Sequence, residues 1–167
     1  MKKIFIALIL MHLSTSVLAD ISVGTQILSD EKEIFAGYKS KNYQLETNLI
    51  WDDKETERLE MTFRYRPELE DNEVLMIYPL VGLGRVSVKE NYSFAGLGIE
   101  LLLFDPTLSL FVEHRTIDSS FYRNKFNSKT EVSIALEKTI MSNTSIFIEG
   151  KINGKESRTG AGIRYRF

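Results

Sequence analysis

The chain has 167 residues, 43% of them hydrophobic and 26% charged, with a formal net charge of −2 and no cysteine. That length allows at most one ordinary domain, and the nearly neutral charge gives no case for nucleic-acid binding. The missing thiols exclude a disulfide framework and a lipid anchor on cysteine, so whatever stabilises an exported form of this chain is neither.

Residues 1–19 open with Lys2 and Lys3, continue with the apolar run "IFIALILM", and end in the small-residue stretch before Asp20. This pattern predicts a cleaved secretory signal peptide, because the run is shorter than the roughly 20 residues a membrane helix needs. The remaining domain spans residues 20–167.

Beyond Asp20 the hydrophobic period is two, which puts alternate side chains on opposite faces of a strand. Ile21 to Leu28 and Ile34 to Ser40 are two short strands. In "YQLETNLIW", Tyr43, Leu45, Thr47, Leu49 and Trp51 share one face, against Gln44, Glu46 and Asn48. "RLEMTFRYR" sets Leu59, Met61, Phe63 and Tyr65 against Glu60, Thr62, Arg64 and Arg66. The next run, "VLMIYPLVGLGRVSV", is apolar on both faces and holds Pro79, which points to a bulge that switches its parity. "AGLGIELLLF" and "LSLFVEHR" return to alternation, with Glu100, Glu113 and Arg115 on the polar side. "VSIALE" and "TSIFIEGKI" follow, carrying Glu137, Glu149 and Lys151. In the last strand Thr159, Ala161, Ile163, Tyr165 and Phe167 oppose Arg158, Gly160, Gly162, Arg164 and Arg166.

Turn signals separate these runs, and Asn153-Gly154 is the strongest of them, since an Asn-Gly pair suits the left-handed geometry of a tight hairpin. Capped helical stretches are absent from this reading. The fold class is therefore all-β, an antiparallel up-and-down barrel of ten strands, with eight as the alternative.

Two barrels fit such alternation. A soluble lipocalin-like barrel turns its apolar face inward, whereas a transmembrane barrel turns it toward lipid and fills its lumen with polar groups. Gly96, Gly98, Gly160 and Gly162 lie on the polar face, where a narrow interior needs room for long charged side chains. The aromatics Tyr43, Trp51, Tyr65, Tyr165 and Phe167 sit on the apolar face near strand ends, as a bilayer interface favours. Both point to the transmembrane form. Its lumen would then hold Glu46, Glu60, Arg64, Arg66, Glu100, Glu113, Arg115, Glu137, Glu149, Arg164 and Arg166 as an ion-paired plug.

The closing "GAGIRYRF" resembles the last strand of Gram-negative outer-membrane barrels, with Ile163, Tyr165 and the final Phe167 in the positions read by the barrel-insertion machinery. "FAGYKS", "YPLVGLG", "FAGLGIELLL" and "LSLFVEHR" follow the strand order of the small OmpA/OmpX/opacity-type barrel family. Members of that family commonly end at the strand corresponding to "EVSIALEKTI", whereas here a further hairpin follows. The resemblance implies a monomeric outer-membrane protein in contact with lipid and lipopolysaccharide, with a structural, envelope-integrity or surface-interaction role.

One enzymatic alternative remains. Outer-membrane lipid A deacylases, which the chain resembles in outline, use a histidine, a hydroxyl two residues on and an acid. Here those positions map to His114 and Thr116, with Glu131 as acid. His114 has outward parity, but threonine replaces the family's serine and the "HxSN" pattern is missing. Metal-ligand clusters and phosphate-binding glycine loops are not evident, so no cofactor is expected.

Overall fold

The computed structural model describes residues 20–52, 57–66, 74–86, 90–103, 108–126 and 128–167. Residues 1–19, where a signal peptide is expected, residues 53–56 of the Asp52 to Glu57 loop, Lys89 of the Lys89 to Asn91 turn, all of Pro67 to Glu73 and the Asp105-Pro106-Thr107 turn lie outside them.

Ten strands close on themselves: β1 (Asp20–Leu28), β2 (Glu31–Ser40), β3 (Tyr43–Asp52), β4 (Glu57–Tyr65), β5 (Leu75–Val86), β6 (Asn91–Leu102), β7 (Leu108–Asp118), β8 (Thr130–Met141), β9 (Thr144–Asn153) and β10 (Glu156–Arg166). Each pairs antiparallel with its sequence neighbours, and β10 returns to β1 with Ser22 opposite Arg166 and Leu28 opposite Gly160. This excludes the eight-strand alternative. Closure leaves no strand edge exposed among these ten. The turns at residues 41–42 and 142–143 mark the end termed lower, and those at residues 29–30 and 154–155 the upper end. Gly154 takes φ 59°, the left-handed value that the Asn-Gly pair announces.

Parity runs unbroken through β5, from Leu75 opposite Leu101 to Arg85 opposite Asn91, so the expected bulge is not there. Pro79 is tolerated for a different reason. The β4–β5 ladder covers only Leu80 to Val86 on the β5 side, so on that flank Pro79 has no partner needing its missing N–H. The register shift lies instead between Thr139 and Met141 of β8.

A further departure is α1 (Ser120–Phe126), a short helix in the long β7–β8 connection, where the sequence pattern predicts no capped helix. Its N-terminus is capped from another loop. Glu90 accepts hydrogen bonds from Ser119 Oγ at 2.6 Å, from Ser120 Oγ, and from the Phe121 amide at 3.0 Å.

The polarity of the wall is inverted relative to a soluble barrel. Outward Ile27, Leu83 and Ile148 are 62%, 67% and 59% exposed, whereas inward Glu60, Arg58 and Glu131 are 1%, 2% and 2% exposed. Such a distribution is the reverse of the lipocalin-like expectation.

Candidate functional site

Alternation fixes which residues enter the lumen, and register fixes which of them meet. Opposite signs stack in layers down the axis. In the upper layer Glu31 of β2 binds Arg58 of β4 and Arg158 of β10, and Glu131 of β8 joins Arg158 at 3.0 Å to Arg115 at 2.6 Å. Glu60 accepts from Arg115 Nη1 at 2.9 Å, from Tyr92 Oη at 2.5 Å and from Tyr122 Oη at 2.9 Å. In the middle layer Arg64 grips Glu113 through Nε at 2.6 Å and Nη2 at 3.1 Å, and reaches Glu46 at 3.3 Å. Lys151 sits between Glu33 at 3.1 Å and Glu149 at 3.5 Å, with Gln26 donating to Glu149. The lower layer pairs Arg66 with Glu100, and Glu137 with both Arg164 at 2.7 Å and Arg166.

All eleven lumenal charges inferred from parity thus face inward and enter ion pairs or, for Glu149, a contact with Lys151. Glu31, Glu33 and Arg58 were not anticipated, and Glu131, expected as the acid for His114, lies in the lumen with them. Glu31 and Glu33 precede the first apolar residue of the β2 pattern, Ile34, and Arg58 precedes Leu59 in β4, so an apolar alternation starts one to three residues too late to include them.

Of the four glycines expected to make room for charged chains, Gly98 and Gly162 have another use, while at Gly96 and Gly160 an added Cβ would meet the backbone of the adjoining strand. Each of five inward glycines lies directly across the ladder from an inward aromatic: Gly24 from Phe35, Gly82 from Phe94, Gly84 from Tyr92, Gly98 from Tyr78 and Gly162 from Phe147. A Cβ on any of them would fall 2.1 to 2.3 Å from a ring carbon, so rings and not charged chains occupy the space. The arginines then lie over those rings. Arg115 stands 4.8 Å above Phe94, Arg164 5.0 Å above Phe35 and Arg66 5.2 Å above Tyr78, which favours a desolvated guanidinium. This explains the two apolar faces of β5: inward Met76, Tyr78, Leu80 and Val86 join Tyr92, Phe94, Ile117 and Tyr122 in an apolar cluster.

At the upper mouth α1 lowers Tyr122 into this cluster, fully buried, where its hydroxyl accepts from Arg58 and donates to Glu60. Lys125, one turn on, binds Asp52 at 2.9 Å and Glu31 at 3.5 Å. Burial acts to raise the Glu90 carboxyl, but the bonds from Ser119, Ser120 and Phe121 outweigh it and hold that group below its ordinary 4.5. The mid-lumen leaves only about 100 Å³ of free space, while the lower mouth widens to about 290 Å³ between Lys39, Arg66, Glu100 and Arg166.

The trio required by the hydrolase reading is not assembled. His114 and Thr116 are exposed on the outer face, whereas Glu131 is buried in the lumen on Arg115 and Arg158. Register sets Glu131 directly across from inward Arg115, while His114 faces Val132 on the other side of the wall, so the acid cannot orient the imidazole. Among the described residues no group of histidine, aspartate and glutamate could hold a metal ion. The outward aromatics Tyr43, Tyr65, Tyr165 and Phe167 stand at the lower end, with Tyr43 stacked on Phe63 at 6.1 Å and Tyr165 edge-on to Phe167 at 4.9 Å. Trp51 lies at the upper end of β3.

Wall and contents together define a narrow, closed, ten-stranded antiparallel barrel with a polar lumen and an apolar outer face. Among solved structures the chain is similar to the KdgM porin in complex with disordered oligogalacturonate, at 14% identity and a TM-score of 0.54, covering 89% of this chain and 99% of that one. It is similar to a second KdgM porin structure at 13% identity and a TM-score of 0.53, with the same coverage. At these identities the likeness is one of fold. No protein-family model matches the chain, and no curated protein does.

Proposed function

We propose that the chain is an integral outer-membrane β-barrel protein with a structural or surface-contact role in the cell envelope, and that its lumen is plugged. The inverted wall carries this reading: apolar side chains cover the outside while paired charges fill the inside. Water would leave the first arrangement costly and hydrocarbon makes it favourable. The signal-peptide pattern of residues 1–19 and the outward Ile163, Tyr165 and Phe167 support export and recognition by the barrel-insertion machinery. Family membership in the OmpA/OmpX/opacity-type group is supported by the sequence resemblance and the closed small barrel. A self-closing sheet needs no partner subunit, which favours a monomer.

The KdgM porin is named with an oligogalacturonate, an anionic chain. Transit of such a chain here would require Tyr122 and the Arg64–Glu113 layer to leave the lumen, so the plugged reading is preferred. The test is refolding of residues 20–167 into detergent micelles followed by planar-bilayer recording. A heat-dependent shift in gel mobility without stable large conductance is expected. Long-lived openings would overturn the plug, and a missing mobility shift would overturn the membrane barrel. An unchanged lipid A acyl pattern in cells with and without the protein is expected as well, since the hydrolase residues face apart.

A further inference from the structure

Where β5, β6 and β7 run side by side, the projecting side chains of the outer wall give way to short ones. Ser93 and Ala95 of β6 lie between Leu83 and Val81 on one flank and Asp118 and Thr116 on the other. The result is an apolar groove of about 630 Å³, inside the span of roughly 300–1,000 Å³ typical of small-molecule sites. The cross-strand row Leu45, Phe63, Val81, Ala95, Thr116 starts near the lower end of β3 and finishes near the upper end of β7, because strands in a closed barrel are tilted and staggered. The groove therefore climbs the wall obliquely. Its lower end is wholly apolar, and its upper end offers two hydroxyls and a carboxylate.

A second, independent feature stands above it. Arg85 shares the outward face of β5 with Leu83, is exposed, and forms no ion pair or hydrogen bond among the described residues. An unpaired guanidinium over an apolar groove is suited to an anionic amphiphile, since guanidinium binds phosphate with charge-assisted hydrogen bonds. The nearby Asp118 disfavours a bare phosphate and favours a headgroup that also brings hydroxyl donors.

Taking the lower end, where β1 begins at Asp20, as the periplasmic one, we propose that this groove seats one acyl chain of a phosphorylated glycolipid of the outer leaflet, with Arg85 on a phosphate and Ser93, Thr116 and Asp118 meeting sugar hydroxyls. The inference rests on the membrane-barrel reading and adds to it a ligand class and a location. Native mass spectrometry tests it on the refolded barrel in micelles, with purified lipid A and, separately, phosphatidylglycerol as probes. The unaltered protein should retain one lipid A molecule in preference to phosphatidylglycerol. Arg85→Gln, which removes the cation, and Ala95→Phe, which fills the groove, should each lower retention about tenfold. Ile148→Phe on the distant β9 wall should leave it unchanged. Equal retention in all variants, equal retention of phosphatidylglycerol, or no retained lipid overturns the proposal. The heat-dependent mobility of the same samples separates the two levels: a normal shift without lipid retention sinks the groove alone, and no shift sinks the membrane barrel with it.

Discussion

Gly98 and Tyr78 show how a single position decides the interior. Parity places Gly98 inward, but only register reveals that the Tyr78 ring lies across it, where a Cβ would come within 2.3 Å of the ring. Gly98→Ala must push the ring off Glu113, to which it donates at 2.8 Å, and away from Arg66. Overpacking of this kind costs about 1–3 kcal/mol, which urea unfolding in micelles will read, whereas Ala135→Gly on the inward face of β8 should cost less. Glu60→Ala should cost more, about 3–5 kcal/mol, because Arg115 would be left buried without one of its two carboxylates and two tyrosines without an acceptor. At Glu90 the depressed carboxyl makes its capping bonds a stabilising contribution that is complete above 4.5 and is lost as pH falls through the lower folded value. The Phe121 amide proton resonance should accordingly titrate with a midpoint below 4.5 and stay flat in Glu90→Gln; a midpoint at or above 4.5 would refute the cap.

Among the elements, the strands were legible because two-residue alternation is a local property that needs no partner to read, and Asn153-Gly154 marked its own hairpin. Helix α1 was not legible. Its seven residues give less than two full turns of periodicity, and although Ser119 caps it locally, accepting from the Tyr122 amide at 3.2 Å, the carboxylate that completes the cap is Glu90, some thirty residues upstream. The two apolar faces of β5 invited a bulge for a similar reason: its inward side packs on an aromatic cluster assembled from β6, β7 and α1, which a reading of one strand cannot see. The helix is held at the mouth chiefly by Tyr122 and Lys125. Tyr122→Ala should free the β7–β8 connection and raise tryptic cleavage at Arg123 and Lys125 about tenfold or more, as a local opening made easier by 1.4 kcal/mol would. Unchanged cleavage would show that the tyrosine does not hold the helix at the mouth.

For the whole molecule, the candidate site is the lumen itself; parity gave its middle and lower charges, whereas Glu31, Glu33, Arg58 and Glu131 of the upper part and the wiring throughout were not readable. Glu46 and Arg64, or Arg115 and Glu60, are recognisable as inward charges in the sequence, but which acid meets which base depends on the stagger of ten strands around a closed circuit. The inverted distribution of polarity makes one claim above the rest: hydrocarbon covers Ile27, Leu83, Leu97 and Ile148 in the working protein. Alkaline carbonate extraction of envelopes from cells expressing the full chain tests it most directly. Retention in the sedimented outer-membrane fraction is the predicted result, and release of the folded chain into the soluble fraction would contradict it.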